Sequence, residues 1–303
     1  MKKIITFIGV VLAVATITVA CLMLFQRNPW MHLDGNEDES EVDDDIPAAE
    51  SSDNASSSFE PIDFQPIVDA WANSTTGNRS ILVYDLDREE LIGSYNPDEI
   101  YNTASLYKLF VVYEGYRRVQ SGIWDENAYV GATGRTTLNC LDLAIRESYS
   151  PCAETLWSMI GHETLDQIIR EDFGITNSNI SLLTSNARDI LKMMQIFYKH
   201  EEILSENLVS RMKDSFLNQP ATTYNWRQGL PSGFGVANVY NKVGWDYNPS
   251  GGYWNIYHDA AIVEYPEENR HFVVVVMTNR VPFQKIRDFG AALEADYIRR
   301  IAS

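Results

Sequence analysis

Histidine and cysteine are scarce, five and three in 303 residues, and none of them falls at the short spacings that hold a metal ion. No metal and no cofactor is therefore expected. Positive charge is short too: 24 Lys and Arg stand against 42 Asp and Glu, a net charge of −18. A chain this acidic cannot neutralise a phosphate backbone, which excludes nucleic acid as a partner. The Gly-x-Ser-x-Gly turn that presents many reactive serines is missing; Gly229-Leu-Pro-Ser232-Gly233 has one residue too many. No segment repeats.

One long apolar run is present. Residues 4–25 are 22 consecutive residues without a charge, preceded by Lys2 and Lys3. As a helix the run would reach about 33 Å, enough to cross a bilayer. The lysines favour a cytoplasmic stub, residues 1–3, and an extracytoplasmic remainder held to the cell membrane by a single signal-anchor helix. A cleaved signal peptide and a lipoprotein are the alternatives, the second because Thr18-Val-Ala-Cys21 loosely matches a lipoprotein box. Residues 26–60 then form a linker. Its stretch 34–60 carries 11 acidic residues and no Lys or Arg, the composition of a disordered, self-repelling tether. Residues 61–303 remain for one folded, monomeric ectodomain. Cys140 and Cys152 fall in it, 12 residues apart. Outside the membrane they can form a disulfide or stay as two buried thiols, and both are open.

The folded part begins with an amphipathic stretch, 62–71, interrupted by Pro66. Two strand-like runs, 80–86 and 91–95, flank a polar turn and predict a hairpin. Asn102 or Thr103 is placed to cap a helix from about Ala104. Helical periodicity fills the middle at 138–147, 153–160, 165–172, 187–198 and 205–218. Strands return at 233–244, 259–265 and 272–278, and 282–301 closes the chain as a helix. This order predicts an α+β fold: an antiparallel sheet built from both chain ends with flanking helices, and an all-helical lobe inserted between.

Two short motifs carry the chemistry. Ser105-Leu-Tyr-Lys108 places a hydroxyl and an amine one helical turn apart. A serine needs a neighbouring base, and a lysine serves only if burial or nearby positive charge lowers its pKa. The apolar residues 109–112 make burial plausible. A second match, Ser210-Arg-Met-Lys213, lies on a polar helix and reads as a solvated face. Lys242-Val-Gly244 occurs once, on a strand, where the lysine could hold a substrate carboxylate and the glycine admits close backbone approach. The amide N–H of Trp245 could join that of Ser105 as an oxyanion hole. Between them, Ser148-Tyr-Ser150 sits on an expected interhelical turn and could deliver a proton to a leaving nitrogen. A literal Ser52-Asp-Asn54 falls in the acidic tether and is coincidence. His258-Asp259 reads as a turn pair at a strand start. Tyr240, Trp245, Tyr247, Tyr253, Trp254 and Tyr257 either line a groove or cap the sheet edge.

With these motifs in this order, residues 61–303 resemble the class A β-lactamase and penicillin-binding serine hydrolase superfamily. Ser105-x-x-Lys108 matches its nucleophile motif, Ser148-Tyr149-Ser150 its Ser-Asp-Asn, and Lys242-Val243-Gly244 its Lys-Thr-Gly. Residues 184–191 resemble the helix start after its omega loop. The resemblance implies a β-lactamase-like fold, acylation of Ser105 with Lys108 as base, and Ser148 as proton relay. Ser150, Lys242, Gly244 and Trp245 would bind the substrate, a β-lactam or a peptidoglycan D-Ala-D-Ala peptide. Three departures stand out. Val243 replaces a threonine that contacts the substrate carboxylate, and Ser150 an asparagine that grips the acylamide. The segment 173–184 lacks the Glu-x-x-x-Asn whose glutamate activates the deacylating water. Glu171 and Asp172, the nearest carboxylates, read as a solvated helix end. The expectation is an acylating enzyme with slow deacylation; the alternative is a catalytically impaired wall-binding or sensor protein of the same fold.

Overall fold

The computed structural model describes residues 61–200, 204–220, 226–247 and 255–302. The apolar run 4–25 and the acidic linker lie outside the described residues. Within those residues no helix is long and apolar enough to cross a membrane.

Helix α1 (Gln65–Ser74) accepts Pro66 in its first turn, where a proline amide would have no helical partner anyway. Strands β1 (Asn78–Asp85) and β2 (Glu90–Tyr95) form the expected hairpin. After the two-residue β3 (Tyr101–Asn102) and a 3-10 turn, Ala104–Leu106, comes α2 (Tyr107–Gln120). The helical lobe continues with α3 (Thr137–Arg146), α4 (Ser150–Ile160) and α5 (His162–Glu171). Beyond β4 (Thr184–Ser185) it ends with α6 (Ala187–Tyr198) and α7 (Glu206–Leu217). Strands β5 (Asn238–Asp246), β6 (Ile256–Tyr265) and β7 (Arg270–Asn279) precede the closing helix α8 (Phe283–Ile301).

The sheet runs β2-β1-β7-β6-β5, antiparallel throughout. Its central pair joins the two ends of the domain, Ile81 opposite Val276 and Val83 opposite Val274. The continuous apolar run of β7 follows from burial on both faces. Val273, Val275 and Met277 pack against the helical lobe; Phe272, Val274 and Val276 pack toward α1 and α8. On that second face Trp71 of α1 lies against Phe289 of α8, ring centroids 5.3 Å apart.

Four local expectations change. Ser105 lies in the 3-10 turn, not inside an α-helix, and Thr103 stands at the N-cap of that turn through its carbonyl, which accepts the Leu106 amide (3.0 Å), and not through its side chain. Asn102 Oδ1 accepts the Ala104 amide (2.8 Å), the Thr103 amide donates to the Leu183 carbonyl (2.7 Å), and Ala104 has φ +43°, so regular helix begins only at Tyr107. Ser150 opens α4 and does not stay on the turn, because Pro151 is accommodated at the start of that helix. Strand β5 begins at Asn238, later than expected. The Gly235 and Val236 amides donate to Glu294 (2.6 and 3.0 Å) and not to a neighbouring strand. Finally, β6 starts at Ile256, which puts His258 and Asp259 inside a strand, on opposite faces, and not in a turn.

Candidate active site

Gly244 sets the geometry. Strand β5 crosses directly over the 3-10 turn, and a Cβ on Gly244 would sit 2.6 Å from the Thr103 carbonyl oxygen and 3.0 Å from Leu106 Cγ. Only a hydrogen fits, so β5 brings Lys242 and the Trp245 backbone beside half-buried Ser105. The turn is strained at Ala104, whose left-handed backbone an L-residue adopts only when its surroundings enforce it.

Lys108, one turn beyond Ser105, is 0 % exposed. Its Nζ donates to the Ser148 carbonyl (2.5 Å), Ser148 Oγ (3.2 Å) and Ser150 Oγ (3.0 Å). These three oxygens are enough to take all three protons of an ammonium. Burial pushes the amine down to about 8, and the carboxylate of Glu154 opposes that shift. Lys242, 1 % exposed, reaches the same hydroxyl from β5: its Nζ donates to Ser148 Oγ (2.9 Å) and to the Val243 carbonyl (2.9 Å). Burial, and then the neighbouring Lys108 charge, hold this amine well below its ordinary value. Ser148 Oγ thus accepts from two lysines and has both lone pairs in use, so its own proton points in a third direction.

The Ser148 turn is held from several sides. The Tyr149 amide donates to the Leu143 carbonyl (3.0 Å), and Trp226 Nε1 to the Glu147 carbonyl (3.1 Å). Ser148 itself has φ +54°. Cys140 on α3 and Cys152 on α4 are joined by a disulfide, S–S 2.03 Å, which ties together the two helices flanking the turn.

Residues 63–303 match the model of a beta-lactamase enzyme family. The chain belongs to that family. Among curated proteins none matches it in sequence. Solved structures agree on the fold. A β-lactamase from Chitinophaga pinensis is 14% identical with a TM-score of 0.65, covering 76% of this chain and 97% of that one. PBP-A is 17% identical with a TM-score of 0.64, over 80% and 99% of the respective chains. A PBP-A mutant, solved as an acyl-enzyme complex with penicillin G, is 19% identical with a TM-score of 0.60, covering 77% and 95%.

Measured against the family's three motifs, the structure joins Lys108, Ser148, Ser150 and Lys242 in one hydrogen-bonded cluster and seats Gly244 on the turn that carries Ser105. The Val243 side chain lies on the opposite sheet face, in the core shared with α8. The Trp245 ring is on that face as well, 5.8 Å from Trp226. Of the other aromatics, Tyr240 donates to Glu264 (2.7 Å) and Tyr257 packs edge-on against Phe283, while Tyr253 and Trp254 fall outside the described residues. Glu171 and Asp172 end α5 in solvent, Asp172 paired with Arg117 at 2.9 Å. The short loop after them is held by carboxylates from its flanks: Asp166 accepts the Ile180 amide (2.6 Å) and Asp189 the Asn177 amide (2.8 Å). Two residues beside these groups were not assigned to the site from the sequence. Glu154 follows Ser150 by four residues on α4, a spacing that could have pointed to it. His258 gave no such signal, because its partners come from β3 and β7.

Proposed function

We propose that the protein is a membrane-anchored, extracytoplasmic serine acyl-transferase-hydrolase that is acylated at Ser105 by β-lactams or by peptidoglycan D-Ala-D-Ala peptides. The carrying observation is the meeting of two buried lysines on one hydroxyl, Ser148 Oγ, beside the turn that bears Ser105. A non-enzymatic wall-binding protein of this fold would have no use for such an arrangement, since burying one amine costs free energy and a like-charged neighbour adds to it.

A substrate carboxylate entering beside Lys242 favours the charged form of that amine, and the shared proton deficit then falls on Lys108. Neutral Lys108 gives up one of its three donor bonds and turns a lone pair toward Ser105 Oγ. It takes the hydroxyl proton as Oγ attacks the carbonyl carbon. The amides of Ser105 and Trp245 stabilise the oxyanion. As the C–N bond breaks, Ser148 passes its proton to the leaving nitrogen and is reprotonated from Lys108. The N-terminal run 4–25 supports the membrane anchor, with the acidic linker as spacer.

Incubation with a fluorescent penicillin, followed by intact-mass measurement, tests the assignment. One adduct per chain, absent in Ser105→Ala, is the expected result. Wild-type protein that gains no adduct and hydrolyses no penicillin refutes it and leaves the wall-binding alternative.

A further inference from the structure

His258 is 0 % exposed and pairs in register with Gly244, the residue before the Trp245 amide. Its Nδ1 accepts the Thr278 backbone N–H (2.9 Å). An amide can only donate, so Nδ1 carries no hydrogen and the proton sits on Nε2. Nε2 then donates to the Asn102 carbonyl, 2.8 Å away and three residues before Ser105. A single imidazole therefore bridges the central strand β7, through Thr278, to the segment that carries the nucleophile. The same ring lies under Gly244, where an added Cβ would meet its Cδ2 at 3.1 Å. The Tyr101 ring stands edge-on to it at 5.7 Å, and Lys242 lies two residues along β5 from Gly244 on the same sheet face. Burial pushes its pKa down to about 4, so it stays neutral wherever the enzyme would work.

The segment it holds needs holding. Ala104 has a left-handed backbone at φ +43°, and nothing in its own side chain favours that state. We infer that His258 is a positioning residue for acyl transfer: its Nε2–H fixes the Asn102 carbonyl, and with it the strained turn, so that the Ser105 and Trp245 amides converge on one oxyanion. This rests on the acyl-transfer function proposed above. An oxyanion donor displaced by about 1 Å costs on the order of 100-fold in rate with little effect on binding.

Two half-replacements separate the role from mere packing. His258→Asn places a carbonyl oxygen where Nδ1 was, keeping the Thr278 bond and losing the Asn102 bond. His258→Gln places an amide nitrogen near the old Nε2, keeping the Asn102 bond and losing the other. On the full chain, acylation by a fluorescent penicillin should fall on the order of 100-fold in the Asn variant, with noncovalent affinity unchanged, and within about 10-fold of wild type in the Gln variant. Equal losses in both, or a loss confined to affinity, overturn the positioning role while leaving the wild-type adduct intact. Absence of that adduct in wild type overturns the acyl-transfer assignment and this role together. If the Asn variant fails to fold, wild-type protein with nitrogen-15 histidine decides. The Nε2–H tautomer of His258 should persist from pH 5 to pH 8 and its signal should move when Ser105 is acylated. The opposite tautomer, a titration near 6.5 or an unmoved signal refutes the inference.

Discussion

The pH dependence of acylation follows from the burial of Lys108 and can be worked out in advance. Its amine, pushed down to about 8, is the proposed base, and only the neutral form can act. Neutral amine rises from about 1% at pH 6 to about half at pH 8, so the second-order acylation rate should climb about 50-fold over that interval and level off near pH 9.5. An exposed lysine at 10.5 would be only about 0.3% neutral at pH 8 and would give no plateau there. Glu154 supplies an internal control, because its carboxylate favours the charged amine. Glu154→Gln removes that attraction, lowers the pKa and moves the rising limb to lower pH, so acylation at pH 6–7 becomes faster. Stopped-flow with a fluorescent penicillin between pH 5.5 and 10 measures both curves. A flat profile, a midpoint near 10.5, or an upward shift in Glu154→Gln would refute Lys108 as the base.

Loss of the Lys108 amine should remove activity and yet raise stability at neutral pH. Lys108 has its ordinary pKa of 10.5 when unfolded and about 8 when folded, so the folded state gives up its proton first. The cost of the buried charge is fully present below pH 8 and disappears as pH rises from 8 to 10.5. Lys108→Met should therefore be the more stable protein at pH 7, by up to about 3 kcal/mol, with no advantage above pH 10.5; urea unfolding at pH 7 and 10.5 checks this, and a less stable variant at pH 7 contradicts it. Gly244→Ala drives a Cβ to 2.6 Å from the Thr103 carbonyl and should abolish acylation while the protein stays folded, as read by circular dichroism and adduct mass. Opening Cys140–Cys152, which closes a loop with a separation of 12 residues, should cost about 3 kcal/mol, measured by unfolding of the double alanine variant.

What the sequence made legible was local or strongly patterned. Ser105 and Lys108 could be paired from a spacing of one helical turn, and Lys242 from its strand. A sheet assembled from both chain ends could be foreseen from the order of the elements, though not which strands pair. Three things were hidden for a common reason: they depend on contacts between segments remote in the chain. Ala104 is strained because Asn102, Leu183 and β5 surround it, not because alanine favours that backbone. Strand β5 starts late because Glu294, on the last helix, draws off the amides of Gly235 and Val236. His258 looked like half of a turn pair because its two hydrogen-bond partners sit on β3 and β7, 156 and 20 residues away.

In the proposed reaction, hydrolysis of the acyl-enzyme is the step the structure supports least. The loop 173–184 contributes no carboxylate, and Asp166 and Asp189 on its flanks are already engaged with the loop's own amides. Neither can turn a water molecule toward an acylated Ser105. Glu154 is the remaining candidate, the carboxylate that bears on Lys108, but it stands on the exposed face of α4 with bulk water to solvate it. Bulk water competes for an exposed carboxylate, which leaves it poorly placed to hold one ordered water on Ser105. Under the proposed mechanism Lys108, kept at about 8 by its burial, is the better base for water as well as for serine. The two steps should then respond alike to Glu154→Gln, with acylation faster and the acyl-enzyme no longer-lived than in wild type. Adduct lifetime followed by mass after removal of excess penicillin measures the second. A longer-lived adduct in that variant, alongside faster acylation, would instead make Glu154 the group that activates water.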